Sequence, residues 1–151
     1  MGGRSFTVLK FRTMVDDPAR DSPYPDPKSI TRVGRILRRL SLDELPQLVN
    51  VVRGEMSIVG PRPTLGYQVE RYDAHQRGRL AVRPGLTGLA QVRGRNELTW
   101  PERIALDLEY VRDQSVLLDL RLVAATAWTL VKGSGVEGHP TDDPIAHRVE
   151  Q

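Results

Sequence analysis

Hydrophobic positions alternate near the start of the chain and then change period. In residues 6–11, Phe6, Val8 and Leu9 alternate with polar neighbours, which predicts a strand. From Thr31 to Leu40 the spacing is helical: at about 100° per residue, Val33, Ile36, Leu37 and Leu40 share one face, and Arg32, Arg35 and Arg39 the other. This basic amphipathic helix reads either as a solvated face above a core stripe or as a contact for lipid phosphates; periodicity does not separate the two. Leu42, Leu45, Leu48, Val49 and Val52 continue at helical spacing as far as Arg53 and stop at Gly54, a natural residue for the position just past a helix end.

Residues 56–59 predict a short strand that runs into Gly60-Pro61-Arg62-Pro63. A polar helix is expected over residues 66–76, closed near Gly78, and a short strand over residues 89–92 after the turn signals of Arg83-Pro84-Gly85. Thr99 and Glu102 form a capping box ahead of a helix reaching about Arg112, and Ser115 caps another that ends at Gly133. Trp100, Tyr110 and Trp128 read as core or interface anchors. Two segments carry no period. Residues 16–29 hold four prolines among aspartates and predict an extended, mobile loop; residues 134–151 are rich in Gly, Pro and acids and predict a disordered tail. The expectation is a helix-dominated α/β fold: a single compact domain over residues 5–133, with short strands and amphipathic membrane-surface helices.

Composition narrows the chemistry. A chain of 151 residues with 39% hydrophobic content suits one core. It has no cysteine, and His75, His139 and His147 lie far apart, so any metal is expected on oxygen ligands. The net charge is +3, and only Lys10, Lys28 and Lys132 of the 22 basic residues are lysines. Arginine forks grip phosphate at two points, which suits phosphate-bearing ligands, although a GC-rich genome gives the same bias. No signal peptide is visible, and no apolar run approaches the roughly 20 residues that span a bilayer. The longest candidate, residues 117–131, is interrupted by Asp119 and Arg121 and reads as a packed or surface-lying helix.

Ser41-Leu42-Asp43-Glu44-Leu45-Pro46-Gln47-Leu48 is the segment with the most chemistry. Ser41 and Glu44 have the spacing of a capping box. Pro46, however, cannot donate to the carbonyl four residues back and disfavours helical angles at Leu45, a strain that an ordinary cap does not need. A helix start with free N–H groups attracts phosphate, and Asp43 beside it suits either a nucleophile or a metal ligand. The two prolines flanking Arg62 stiffen its backbone and aim its guanidinium, or simply make a rigid turn. Gly85, Gly88 and Gly94 allow close backbone approach to a ligand, as they also would in ordinary turns.

Four motifs occur in one order: Lys10-Phe11-Arg12-Thr13-Met14, the segment 41–48, Met56-Ser57-Ile58-Val59-Gly60-Pro61-Arg62-Pro63, and Arg83-Pro84-Gly85-Leu86-Thr87-Gly88. Together they closely resemble the bacterial sugar transferase family, the monotopic polyprenyl-phosphate phosphoglycosyl transferases. The resemblance implies a two-step exchange. An aspartate attacks the β-phosphate of a UDP-sugar and keeps the sugar phosphate, and polyprenyl (undecaprenyl) phosphate then takes it up, initiating exopolysaccharide, O-antigen or related glycan synthesis. By the same resemblance Asp43 is the nucleophile, Glu44 the Mg2+ ligand, Arg38 and Arg62 the phosphate-binding residues, and Lys10 a further carry-over. The chemistry is coherent, because a carboxylate attacks phosphorus usefully only where metal and arginine offset the approaching negative charge.

Members of the family carry an apolar membrane hairpin ahead of the lysine-bearing strand, and here Met1 precedes that strand directly. The expectation is therefore a catalytic domain without the hairpin, attached weakly to the cytoplasmic face of the bacterial inner membrane through the basic helix and residues 117–131. Its expected partners are a nucleotide-sugar donor, polyprenyl phosphate and the membrane surface. A rival reading is a noncatalytic membrane-surface or assembly module of the same fold. Nucleic acid is not expected, since acids interleave the basic residues and no helix-turn-helix or base-stacking motif accompanies them.

Overall fold

The protein is described from a computed structural model, which covers residues 3–15, 29–94 and 98–132. Its elements are α1 (Arg32–Arg39), α2 (Gln47–Val52), β1 (Ser57–Val59), α3 (Gly66–Glu70), β2 (Gly85–Thr87), α4 (Leu89–Arg93), α5 (Trp100–Asp113) and α6 (Val116–Lys132), with 3-10 turns at Leu42–Glu44 and Gln76–Ala81. The expected tail over residues 134–151, and the expected proline-rich loop up to residue 28, lie outside the described residues.

β1 and β2 pair in parallel, with Ser57 opposite Gly85 and Val59 opposite Thr87. They touch so closely that a Cβ at Gly85 would collide with the backbone N of Gly60, and one at Gly88 with the Gly60 carbonyl. These glycines do allow close approach, but to the end of β1. Helices α4, α5 and α6 cover the pair. The core is Val59, Leu89, Tyr110 and Leu122, with Val82, Val92, Leu106 and Leu118 packed around it. Burying each of the larger side chains contributes roughly 1.5–3 kcal/mol. The Tyr110 hydroxyl donates to Asp119 Oδ1 at 2.8 Å, joining α5 to α6.

The expected capping at Thr99 and Ser115 is present, and Thr31 caps α1 as well. Thr31 Oγ1 accepts from Gly34 N, Thr99 N donates to Glu102 Oε2, and Ser115 Oγ accepts from Leu118 N. Gly54 takes the left-handed conformation expected after a helix, at φ 75°.

Other elements differ from expectation. Residues 89–92 are helical, not a strand: the strand lies just upstream at Gly85–Thr87, and Leu89 and Val92 reach the same core from one helix face. The polar helix expected over residues 66–76 stops at Glu70. Asp73 and Gln76 then bond reciprocally, Gln76 N to Asp73 Oδ1 and Asp73 N to Gln76 Oε1, and start a separate 3-10 turn that passes through Gly78. Pro46 splits the helix expected over residues 42–53. Residues 6–11 pair with no strand among the described residues. Instead Leu9 N donates to Asn50 Oδ1 at 3.1 Å, and Asn50 Nδ2 donates to the Thr7 carbonyl at 2.9 Å. One side-chain amide thus supplies bonds that a neighbouring strand would have made.

The two helices around the acidic motif are inverted relative to a core stripe. Val33 and Ile36 on α1 and Leu40 just past its end are exposed, and the buried residue of the helix is Gly34, pressed against the Thr13 carbonyl. On α2 and the turn before it, Leu45, Leu48, Val49 and Val52 are exposed while Gln47 and Asn50 are buried. Trp128 is exposed too, not core. Exposed apolar residues thus stand on both helices that flank the acidic turn.

Candidate active site

The site is built at the turn joining α1 to α2. Ser41, just beyond the end of α1, has φ 53° and ψ 23°, and is the one non-glycine residue with positive φ among the described residues. Its side chain makes no cap bond. The capping box read from Ser41 and Glu44 therefore does not form, and Arg62 and Lys10 take the Glu44 carboxylate instead. A β-carbon in the left-handed region costs roughly 1–2 kcal/mol, and such strain clusters at functional sites.

The reversal of direction at Ser41 sets the faces of the following 3-10 turn. Asp43 points inward and is only 3% exposed, while Leu42 and Leu45 face outward. The Asp43 carbonyl accepts a hydrogen bond from Phe11 N at 2.9 Å, which lays the extended N-terminal segment against the turn. That contact delivers Lys10. Its Nζ lies 2.9 Å from Asp43 Oδ2 and 3.7 Å from Glu44 Oε1. From the other side Arg62 Nη2 donates to Glu44 Oε1 at 2.5 Å. Burial works against the charge on Glu44, but Arg62 and then Lys10 outweigh it and hold the carboxyl below the ordinary carboxylate range.

Arg62 is aimed by more than its flanking prolines. Arg79 Nη2 donates to the Arg62 carbonyl at 3.1 Å. Arg79 is itself buried, paired with Asp107, bonded through Nη1 to the Tyr72 hydroxyl at 2.6 Å, and set against the rings of both Tyr72 and Trp100. The Tyr72 hydroxyl passes on to Thr64 Oγ1, so the loop after β1 is fixed on both sides of Pro63. Burial pushes Asp107 up to about 6, although Arg79 and Arg103 pull the other way.

Of the residues singled out in the sequence, Lys10, Asp43, Glu44 and Arg62 come together. Arg38 stands apart from both carboxylates: it makes no ion pair with either among the described residues, and its Nε donates to Thr13 Oγ1 at 2.9 Å. Thr13, Asn50, Arg79 and Asp107 support the site; Thr13 lies in a quoted motif without being singled out, and Arg79 and Asp107 carried no sequence signal. Asn50 interrupts an apolar run, which was the one available hint.

Chemically the turn offers two adjacent carboxylates, one deeply covered, under two cations whose side chains remain 39% and 47% exposed. An incoming anion meets Lys10 and Arg62 first and competes with the carboxylates for them. Among the described residues no cluster of three or more His, Cys, Asp or Glu side chains forms a protein-only metal cage. Nor is any described helix long and apolar enough to cross a membrane.

The family model for bacterial sugar transferases matches residues 1–133. The chain is 44% identical to the sugar transferase EpsL of Bacillus subtilis (strain 168), over 89% of its own length and 67% of that protein. It is also 44% identical to the exopolysaccharide production protein ExoY of Rhizobium meliloti (strain 1021), covering 87% of this chain and 67% of ExoY. A UDP-glucose:undecaprenyl-phosphate glucose-1-phosphate transferase of Caulobacter vibrioides is again 44% identical, with 87% of this chain aligned to 53% of that enzyme. With a match that takes in the acidic turn, the segment bearing Lys10 and the loop bearing Arg62, the chain belongs to the bacterial sugar transferase family.

Proposed function

We propose that this chain is the catalytic region of a phosphoglycosyl transferase, moving a sugar 1-phosphate from a UDP-sugar to undecaprenyl phosphate at the cytoplasmic face of the membrane. The observation that carries this reading is the Asp43–Glu44 pair held between Lys10 and Arg62. In the first step an Asp43 carboxylate oxygen attacks the sugar-bearing phosphorus. The bond from that phosphorus to the bridging oxygen breaks, and uridine monophosphate leaves with the electron pair. In the second step a phosphate oxygen of the lipid attacks the same phosphorus and Asp43 departs as a carboxylate, so the enzyme is regenerated.

Lys10 and Arg62 orient the donor by exchanging their carboxylate partners for diphosphate oxygens, which also uncovers Asp43. Such positioning and charge compensation make up most of phosphoryl-transfer catalysis. The donor set suits Mg2+ shared with substrate better than a protein-only cage, since Mg2+ takes one or two carboxylates and completes its shell with water and phosphate oxygens. Glu44, kept ionised by its neighbours, would hold it beside Asp43, and the ion would supply charge neutralisation at the phosphates. The uncovered apolar faces of α1 and α2, edged by Arg32, Arg35 and Arg39, support seating on an anionic lipid surface, where the lipid acceptor would be met.

The test is incubation with a panel of UDP-sugars and Mg2+, followed by intact mass measurement. A phosphosugar adduct that Asp43→Asn abolishes is the expected result. An adduct that survives Asp43→Asn overturns the assignment of the nucleophile, and turnover of none of the donors overturns the donor class.

A further inference from the structure

We propose that Asn50 is a positioning residue for the acidic turn: its amide clamps the extended segment at Thr7 and Leu9, and so sets Lys10 against Asp43 and Glu44. Its catalytic consequence rests on the phosphoglycosyl transfer proposed above.

Asn50 is 0% exposed, on a helix whose apolar residues face outward. Its amide capacity is well used. Oδ1 accepts from Leu9 N, and the two Nδ2 hydrogens go to the Thr7 carbonyl and to Glu55 Oε2, the last at 2.7 Å. Burial does little to hold the segment it grips. Thr7, Val8, Lys10 and Phe11 are exposed and Leu9 is half-buried, so hydrogen bonds fix its place. Lys10 is bracketed by two of them: Leu9 N to Asn50 on one side, and Phe11 N to the Asp43 carbonyl on the other. A lysine on a flexible stem holds a defined position only if its backbone is fixed.

The same residue stands on the helix that follows the acidic turn directly, so the clamp ties together the two parts of the chain that meet at the site. A purely structural role is the alternative, because the Asn50 backbone carbonyl also accepts from Glu55 N and Met56 N at the entry to β1. Those backbone bonds survive a side-chain truncation and only the Glu55 side-chain bond is lost there, so the state of Lys10 separates the two roles.

Two readouts on Asn50→Ala in the full chain test the proposal. The first is labelling with a limiting amine acylating reagent and peptide mass mapping, with Lys28 and Lys132 as internal references. Freed from Asp43, Lys10 should label about 3–10 times faster than in the parent chain, by the loss of a charge-assisted bond. The second is the rate of phosphosugar adduct formation in a double-mutant cycle. Asn50→Ala should slow it roughly 10–100-fold in the parent chain, and less than about threefold once Lys10→Ala is present, since misplacement on the order of 1 Å costs about that much and coupled residues are not additive.

Unchanged Lys10 labelling in Asn50→Ala, or an equal slowing in both backgrounds, overturns the proposal. An adduct that persists in Asp43→Asn counts against the reaction instead, and labelling alone then decides on Asn50. Should the alanine variant fail to fold, Leu9→Pro removes the N–H donor from the outer side of the clamp and must give the same pattern.

Discussion

Lys10 Nζ lies 2.9 Å from Asp43 Oδ2, and this contact joins the N-terminal extended segment to the turn between α1 and α2. It means that the covered carboxylate of the site is compensated by a residue from a distant, lightly held part of the chain. Lys10→Ala should destabilise the fold by about 1–2 kcal/mol, below the roughly 3–5 kcal/mol for breaking a fully buried pair because water reaches the lysine. Urea unfolding measures this, and Lys10→Ala combined with Asp43→Asn should recover most of the loss.

Glu44 gives a pH prediction. Its folded carboxyl is held below the ordinary range by Arg62 and Lys10 against the effect of burial, so its contribution to stability is present above the unfolded value of 4.5 and is lost as pH falls through the lower folded value. Arg62→Ala removes the larger of the two attractions. The gap in melting temperature between parent and Arg62→Ala should be open at neutral pH and narrow below about pH 4.5. A gap that is constant down to strong acid contradicts this assignment.

Ser41 discriminates between strain and capping. If its hydroxyl capped the turn, Ser41→Ala would cost about 1 kcal/mol; with no cap bond it should cost under about 0.5 kcal/mol. Ser41→Gly, which relieves the left-handed backbone, should stabilise by up to about 1 kcal/mol, and a β-branched residue there should destabilise. Denaturant midpoints at constant slope decide it.

The network behind Arg62 predicts a larger loss. Arg79→Ala leaves Asp107 buried without its partner and should cost about 3–5 kcal/mol in unfolding free energy. Asp107 titrates in the opposite sense to Glu44. With its folded value raised to about 6, the folded chain holds a proton that the unfolded chain releases, so stability from this group rises as pH falls from about 6 toward 3.8. The stability difference between parent and Asp107→Asn should therefore shift in favour of the parent over that window, and a shift the other way sinks the assignment.

The apolar face outside the core gives a prediction with little stability cost. Val52 is 88% exposed and Ile36 60%, so Val52→Asp and Ile36→Asp should each change unfolding free energy by less than about 0.5 kcal/mol. Both should reduce co-sedimentation with anionic vesicles several-fold. Binding that is unaltered by either substitution, or that does not depend on anionic lipid, removes the proposed seating.

Helix starts were legible at Thr99 and Ser115, which cap as their spacing implies, whereas the cap at Thr31 came from the structure alone. Local signals misled where two readings share a pattern. Leu89, Ala90 and Val92 fit a strand or a helix turn, and Ser41 with Glu44 fits a capping box until the φ of Ser41 is known. The strand expected over residues 6–11 does not form, because nothing local says that a side-chain amide on α2 takes the bonds a strand would have made.

By itself the sequence determined the helical periods and the caps at Thr99 and Ser115, because these depend on bonds and sterics within a few positions. Tertiary structure alone decided that Lys10, Asp43, Glu44 and Arg62 meet while Arg38 turns to Thr13, and that α1 and α2 bury Gly34, Gln47 and Asn50 beneath outward-facing apolar residues. The physical reason is range. Ion pairing, burial and a shared clamp act through space between segments far apart in the chain, and no window of residues contains both ends of the interaction.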